Sequence, residues 1–247
     1  MSQFAHDKVV PYSGSDITKK EQVAKMFDNI AGKYDFLNRF LSAGIDIGWR
    51  KKMLKSLRAL NPKKMLDVAT GTADVAIMAS RLLRPEKIIG IDISSGMLDL
   101  GKEKVAKKQL NSIIELQKGD SEAINFENET FDAVTVAFGV RNFENLEMGL
   151  KEIHRVLKKE GMVAILEFSK PTIPGIEQIY NWYLGMVAPE IAKVISKDRE
   201  AYKYLNDSVK AFPEGKEFVE ILNRSGFSKT ICRRLSFGIC SLYTGIK

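Results

Sequence analysis

The chain has 247 residues, 45% hydrophobic and 28% charged, with a formal net charge of +7 at pH 7. That length is enough for one large α/β domain with a sizeable core, and the composition excludes fibrous and disordered classes. Two histidines, His6 and His154, and two cysteines, Cys232 and Cys240, argue against a His-rich metal centre, a Ser-His-Asp triad and a disulfide framework.

The first residues lack the apolar core of a signal peptide. No stretch approaches the roughly 18 apolar residues of a membrane span. A reducing, cytoplasmic setting is therefore expected. The positive charge reads as a lysine-rich solvated surface, because no basic run is long enough for a nucleic-acid arm.

In chain order, residues 1–18 read as loose and polar. From Lys19 to Leu60 the pattern is helical, with Val23, Met26, Phe27 and Ile30 on one face and breaks at Gly44 and Gly48. The period then changes. "KKMLDVA" predicts a buried strand, followed by a glycine turn and the helix "ADVAIMASRLL". "EKIIGIDIS" and "SIIELQKGD" are further strands, separated by the helix "GMLDLGKEKVAKKQL". "TFDAVTVAFG" is a fourth strand, leading to the helix "NLEMGLKEIHRVLKK" and a fifth strand, "GMVAILEFS". Strands alternating with helices imply right-handed crossovers and a parallel sheet covered on both faces. Residues 171–225 read as helical and amphipathic, with Tyr180, Trp182 and Tyr183 as either core or a greasy wall for a lipid tail. The last residues form two short strands, a hairpin at the sheet edge.

Ligands of open parallel sheets bind outside the carboxyl ends of the strands. The first such end reads "LDVATGTAD", with the single glycine Gly71 in its turn. A dinucleotide pyrophosphate needs a turn with several glycines, so it is disfavoured. Asp92 ends the second strand, 21 residues after Gly71, the spacing of a carboxylate that holds a ribose diol. Asp120 and Ser121 end the third strand, where an acid and a hydroxyl suit an adenine. Each acid taken alone could equally be a helix cap. The succession of three such ends points to an adenosine ligand.

"LDVATGTAD", "GIDIS", "GDSEAINF" and "HRVLKKEGMVAILEFSKP" resemble the class I S-adenosylmethionine-dependent methyltransferases. "FDNIAGKYDFLNRFLSAGIDIGWRKKM", "AFGVRN" and "FPEGKEFVEILNRSGF" are similar to one family within them, the C-methyltransferases of menaquinone and ubiquinone biosynthesis. The resemblance implies a Rossmann-like seven-stranded sheet, mostly parallel with an antiparallel last strand, helices on both faces. Residues 1–247 would form a single domain, with 19–60 as an N-terminal helical lid and 171–225 as a helical insertion over the substrate site. S-adenosylmethionine would be the methyl donor, without a metal. Gly71 and Thr72 would lie along its methionine part, Asp92 and Ile93 at the ribose, and Asp120 and Ser121 at the adenine. Tyr34 and Arg50 would close the site.

The implied reaction is C-methylation of demethylmenaquinol to menaquinol, with a ubiquinone-pathway benzoquinol or another small molecule or lipid as the alternative. Partners would be a polyprenylated quinol and, transiently, the inner face of the cell membrane, with no nucleic acid. The position where base-modifying enzymes carry a stacking platform reads Gly139-Val140-Arg141-Asn142. A homodimer is left open.

The chemistry gives the Arg-Asn pair in "AFGVRN" a purpose. A neutral quinol is a weak carbon nucleophile, and ionising a phenol of pKa about 10 at neutral pH costs roughly 4 kcal/mol. A nearby cation can supply much of that. Arg141 is expected to stabilise the forming phenolate, Asn142 to orient the same oxygen, and Asp120 to receive the proton through a water. The structural alternative pairs Arg141 with Glu144 or Glu147 and makes Asn142 the cap of the next helix.

Overall fold

The computed structural model describes residues 4–42, 44–171 and 199–247. The expected helix after Pro171, with Tyr180, Trp182 and Tyr183, lies largely outside the described residues.

Seven strands form one sheet in the order β3-β2-β1-β4-β5-β7-β6. They are β1 (Lys64–Val68), β2 (Lys87–Asp92), β3 (Ile114–Lys118), β4 (Phe131–Ala137), β5 (Leu157–Phe168), β6 (Ser228–Leu235) and β7 (Cys240–Ile246). The first five pair in parallel, and β7 runs antiparallel to both β5 and β6. The fold class expected from the sequence is the one observed.

Successive strand residues face opposite sides, which divides the apolar residues between two layers. Leu66, Val134, Val136 and Ile165 pack against α5 (Leu146–Val156) and α7 (Lys216–Arg224). Met65, Ala133, Ala164 and Leu166 pack against α2 (Asp46–Ser56) and α3 (Asp74–Leu82). A third cluster joins α1 (Lys19–Leu41) to α4 (Ser95–Lys107) and α6 (Arg199–Ala211) through Val23, Met26, Ile30, Met97 and Tyr204.

Three local expectations are corrected. The helix "NLEMGLKEIHRVLKK" stops at Val156, because Leu157 is wholly buried and pairs with Phe131 across an irregular register. Gly48 lies inside α2, where burial of Trp49 and Met53 carries the helix past it. Residues 216–224 pack on the sheet through Phe218, Ile221 and Leu222. Residues 4–12 of the N-terminal stretch are docked rather than loose. His6 is fully buried, its ring 5.5 Å from that of Phe212, and the buried Lys19 donates from Nζ to its carbonyl. Burial lowers the His6 pKa to about 4, and that of Lys19 to about 8.

One close approach ties the sheet to the site. A Cβ on Gly139 would stand 2.6 Å from that of Ala69, in the turn after β1. Gly139→Ala is expected to cost about 1–3 kcal/mol, as overpacking does, and to weaken ligand binding by displacing that turn. Thermal unfolding and cofactor titration of the variant check this.

Candidate active site

A cleft of about 650 Å³ opens at the carboxyl ends of β1, β2 and β4. Its floor includes Ala69, Gly71, Asp92 and Gly139, and α1 roofs it with Lys20, Val23, Phe27 and Tyr34. A smaller recess of about 350 Å³ shares Tyr34, Ala69, Gly71 and Ala137 with it and reaches Arg50, Asp67 and Thr72.

The β1–α3 turn takes its shape from three left-handed residues, Ala69, Gly71 and Ala73, with φ of 52°, 55° and 64°. A side chain on Gly71 would meet the Tyr34 ring, 3.8 Å from its Cβ position. Asp92 is 8% exposed and accepts from Gly71 N–H at 2.8 Å and Ser94 N–H at 2.9 Å. A carboxylate offers about four lone-pair directions, so roughly two remain for the cleft. Burial raises the Asp92 pKa to about 6, against the pull of those backbone donors. The side chain is therefore still mostly ionised at neutral pH. Ile93 lines the cleft beside it.

The recess is lined by both charges. Arg50 donates from Nη1 to Asp46 at 2.6 Å and to Asp74 at 3.3 Å, with its guanidinium 5.7 Å from the Phe138 ring centre. Lys104 donates to Asp35 and Asp74 at 2.7 and 2.6 Å. Thr72 donates to Asp35 and accepts from Lys104. The wholly buried Asp67 accepts from the hydroxyls of Thr70 and Thr135, each at 2.6 Å, and burial raises its pKa to about 6.

Asp120 and Ser121 line the cleft at the end of β3. The Asp120 carboxylate takes Lys20 Nζ at 2.6 Å and the Glu122 N–H at 2.9 Å. Lys20 also lies 3.2 Å from Glu122. The helix above and the strand end below are thus latched by an ion pair at the rim.

Arg141 and Asn142 part company. Both sit in a 3-10 turn, Val140–Asn142, but the cleft lining passes from Gly139 to Asn142 without Arg141. Arg141 is 5% exposed and lies behind the wall. Its Nη1 donates to Glu167 Oε1 at 2.6 Å and to the Phe138 carbonyl at 2.7 Å, and its guanidinium is 5.5 Å from the Phe168 ring centre. Its Nε–H is buried without a partner among the described residues. The ion-pair partner is Glu167, not Glu144 or Glu147. Asn145, whose Oδ1 accepts from Met148 N–H, caps α5 in place of Asn142. Asn142 instead accepts at Oδ1 from the Tyr204 hydroxyl at 3.1 Å, and its Nδ2 makes only a long contact, 3.5 Å, to the Phe138 carbonyl. Of the two amide N–H donors on Nδ2, one is left for the cleft.

Glu167, Tyr204 and Lys20 escape the sequence reading. Glu167 carries a readable signal, being a lone charge inside the apolar strand "VAILEF", on the strand neighbouring Arg141's. It is fully buried, and burial raises its pKa against the pull of Arg141. Tyr204 and Lys20 sit on ordinary amphipathic helices, where nothing local marks them.

The architecture recurs in a solved S-adenosylmethionine-dependent methyltransferase from Thermotoga maritima. Its TM-score is 0.59 at 16% identity, over 90% of this chain and 99% of that one, a likeness of fold alone. Sequence relatives are much nearer. The demethylmenaquinone methyltransferase of Bacteroides fragilis is 47% identical over 244 residues, 99% of each chain. The ubiquinone/menaquinone biosynthesis C-methyltransferase UbiE of Geobacter sulfurreducens is 44% identical over 230 residues, 93% of this chain and 90% of that one. The model of the ubiE/COQ5 methyltransferase family matches residues 16–247, so the cleft, its acid-lined floor and its roof of α1 are those of a chain that belongs to that family.

Proposed function

We propose that this protein methylates a ring carbon of demethylmenaquinol with S-adenosylmethionine, giving menaquinol. The observation that carries the reading is the full-length identity of 47% to an enzyme named for that reaction. The cleft supports the methyl donor independently. A buried carboxylate at Asp92 keeps two acceptor directions open for a ribose diol. The recess carries both charges, as a zwitterionic amino-acid tail requires. Acids at Asp92, Asp120 and Glu122 around the cleft favour a sulfonium and oppose a pyrophosphate.

Bound there, S-adenosylmethionine supplies a methyl group on a sulfonium whose leaving group is a neutral thioether. Asp92 and Ile93 hold the ribose, Asp120 and Ser121 flank the adenine, and Gly71 and Thr72 run along the methionine part. Tyr34 and Arg50 close the site from α1 and α2, so residues 19–60 act as the lid. Within the expected 171–225 insertion, α6 supports the cleft wall through the Tyr204 hydroxyl, which donates to Asn142.

For the quinol, the chain must favour a phenolate. Tyr204 fixes the Asn142 amide so that an N–H faces the cleft, and Asn142 donates it to the phenolate oxygen. Arg141 acts from behind the wall. Paired with Glu167 it presents a dipole rather than a bare charge, so the direct contact passes to Asn142 and the guanidinium sets the potential around it. Asp120 takes the phenolic proton through a water, and once the ring carbon carries the methyl group its hydrogen leaves as a proton to water, which restores the aromatic ring.

Incubation with S-adenosylmethionine and, separately, a demethylated naphthoquinol and benzoquinol, followed by mass spectrometry, tests this. A methylated naphthoquinol is expected. Methylation of the benzoquinol alone would move the protein to ubiquinone synthesis, and no methylation of either would end the reading.

A further inference from the structure

The turn between β6 and β7 is conformationally costly and displays an aromatic ring. Ser236, Phe237 and Gly238 are all left-handed, with φ of 45°, 59° and 95°. Only glycine adopts that region freely, and for a bulky residue it is an outlier. The surroundings hold the turn in place. Trp49 donates from Nε1 to Ser236 Oγ at 2.8 Å, and Ser169 donates to the Gly238 carbonyl at 2.6 Å. Phe237 is left 65% exposed and Ile231, on the adjoining edge strand, 60%. Strain that lifts an aromatic ring into water stabilises nothing in the isolated molecule.

The surface around this ring is basic. Arg233 and Arg234 stand next to the turn and residues 228–247 contain no acid, with Lys229 and Lys247 at the hairpin's other end. Lys170 approaches from β5's end, its carbonyl accepting from Arg234 at 3.1 Å, and Arg234 also lies 3.9 Å from Glu214. A second copy adding to the β6 edge is disfavoured. The strand's register shifts between Ser228 and Ile231, Lys229 is left-handed, and basic side chains project from it. These are the features that block edge pairing.

The turn stands on the cleft's side of the molecule. Cys240 pairs with Phe168, at the carboxyl end of β5, so the tip lies at the rim where the parallel strands deliver the site. Its anchor, Trp49, packs 6.3 Å from Phe138, which lines the cleft.

We propose that the β6–β7 turn is a membrane-inserting tip. Phe237 enters the headgroup–acyl boundary of an anionic bilayer, and Arg233, Arg234 and Lys170 meet its phosphates. Docked this way, the cleft's rim sits on the surface from which a prenylated quinol leaves the lipid. The inference rests on the lipid-tailed substrate proposed above.

The test is co-sedimentation of the full chain with phosphatidylcholine vesicles made with and without phosphatidylglycerol. The wild type should bind only the anionic vesicles. Phe237→Ser should lower the partition about tenfold, as loss of a buried aromatic implies, with Phe237→Leu retaining most of it. Arg233→Gln should lower it about fivefold. Turnover of a short-tailed, water-soluble demethylated naphthoquinol should be the same in Phe237→Ser and wild type, while turnover of a long-tailed one in vesicles falls. Equal partition of wild type and Phe237→Ser, or no partition of either, overturns the tip. So does loss of short-tail turnover in Phe237→Ser, or a change of its molar mass in solution, which would make the turn structural or a self-association site. Vesicle binding is read without turnover, so a wrong substrate assignment would show separately as absent methylation.

Discussion

Arg141→Ala should lower kcat about 100-fold or more while leaving cofactor affinity within about threefold, because the guanidinium acts on quinol ionisation and not on the adenosine site. The same substitution strands Glu167, fully buried, and removal of one partner from a buried pair costs about 3–5 kcal/mol. Lost activity could then reflect lost fold, and a second variant separates the two. Arg141→Ala with Glu167→Gln removes both charges together, so most of the stability should return, since no lone charge stays buried. The activity should not return. Glu167→Gln alone adds an independent readout. It leaves the guanidinium unneutralised, which favours the phenolate, so the ionising limb of the pH–kcat profile should move to lower pH. A limb that stays in place, or a double variant that turns over within about threefold of wild type, would remove Arg141 from the chemistry. Chemical denaturation, cofactor titration and pH–rate profiles of the three variants supply the measurements.

Asp92→Asn should weaken S-adenosylmethionine binding by about 100-fold. Two charge-assisted hydrogen bonds from a ribose diol, each worth about 1.5–3 kcal/mol to a charged acceptor, become weaker bonds to an amide that must also satisfy two backbone donors. The pH dependence carries a sign that distinguishes this role from a purely structural one. The folded pKa of Asp92 is raised to about 6 from 3.8 by burial. Below about pH 6 the group takes up a proton and loses acceptor capacity, so cofactor affinity should fall by up to tenfold per pH unit. Stability of the cofactor-free protein runs the other way for this group. Between about pH 4 and 6 the folded state binds more protons than the unfolded one, so its contribution to stability decreases as pH rises. Asp67, also raised to about 6, adds in the same direction. His6, lowered to about 4, opposes both, since its neutral burial becomes less costly as pH rises toward 6.5. Calorimetric titration across pH 5–8 with wild type and Asp92→Asn tests the point. A wild-type affinity that is flat between pH 5 and 7 would remove the Asp92 carboxylate from the diol contact.

The sheet could be read from the chain because its signals are local. Strands such as "KIIGID" are short apolar runs bounded by turn residues, and the carboxyl ends of the first three are marked by Gly71, Asp92 and Asp120. The edges of elements were less legible. Leu157 reads as helix from its neighbours and becomes strand because burial beside Phe131 outweighs propensity. The N-terminal residues read as loose because their anchoring is tertiary: the partner of the buried His6 ring, Phe212, is about 200 residues away in sequence.

Residue types and spacing along the chain were sufficient for the class of fold, the position of the ligand cleft and the family resemblance, since these depend on periodicity and on short motifs. The partners of the charges were decided in three dimensions. Arg141 stands on β4's turn and Glu167 on the neighbouring strand, 26 residues apart, and parallel pairing alone brings them to 2.6 Å. Burial then makes each costly without the other, because a low-dielectric interior leaves no water to solvate a lone charge.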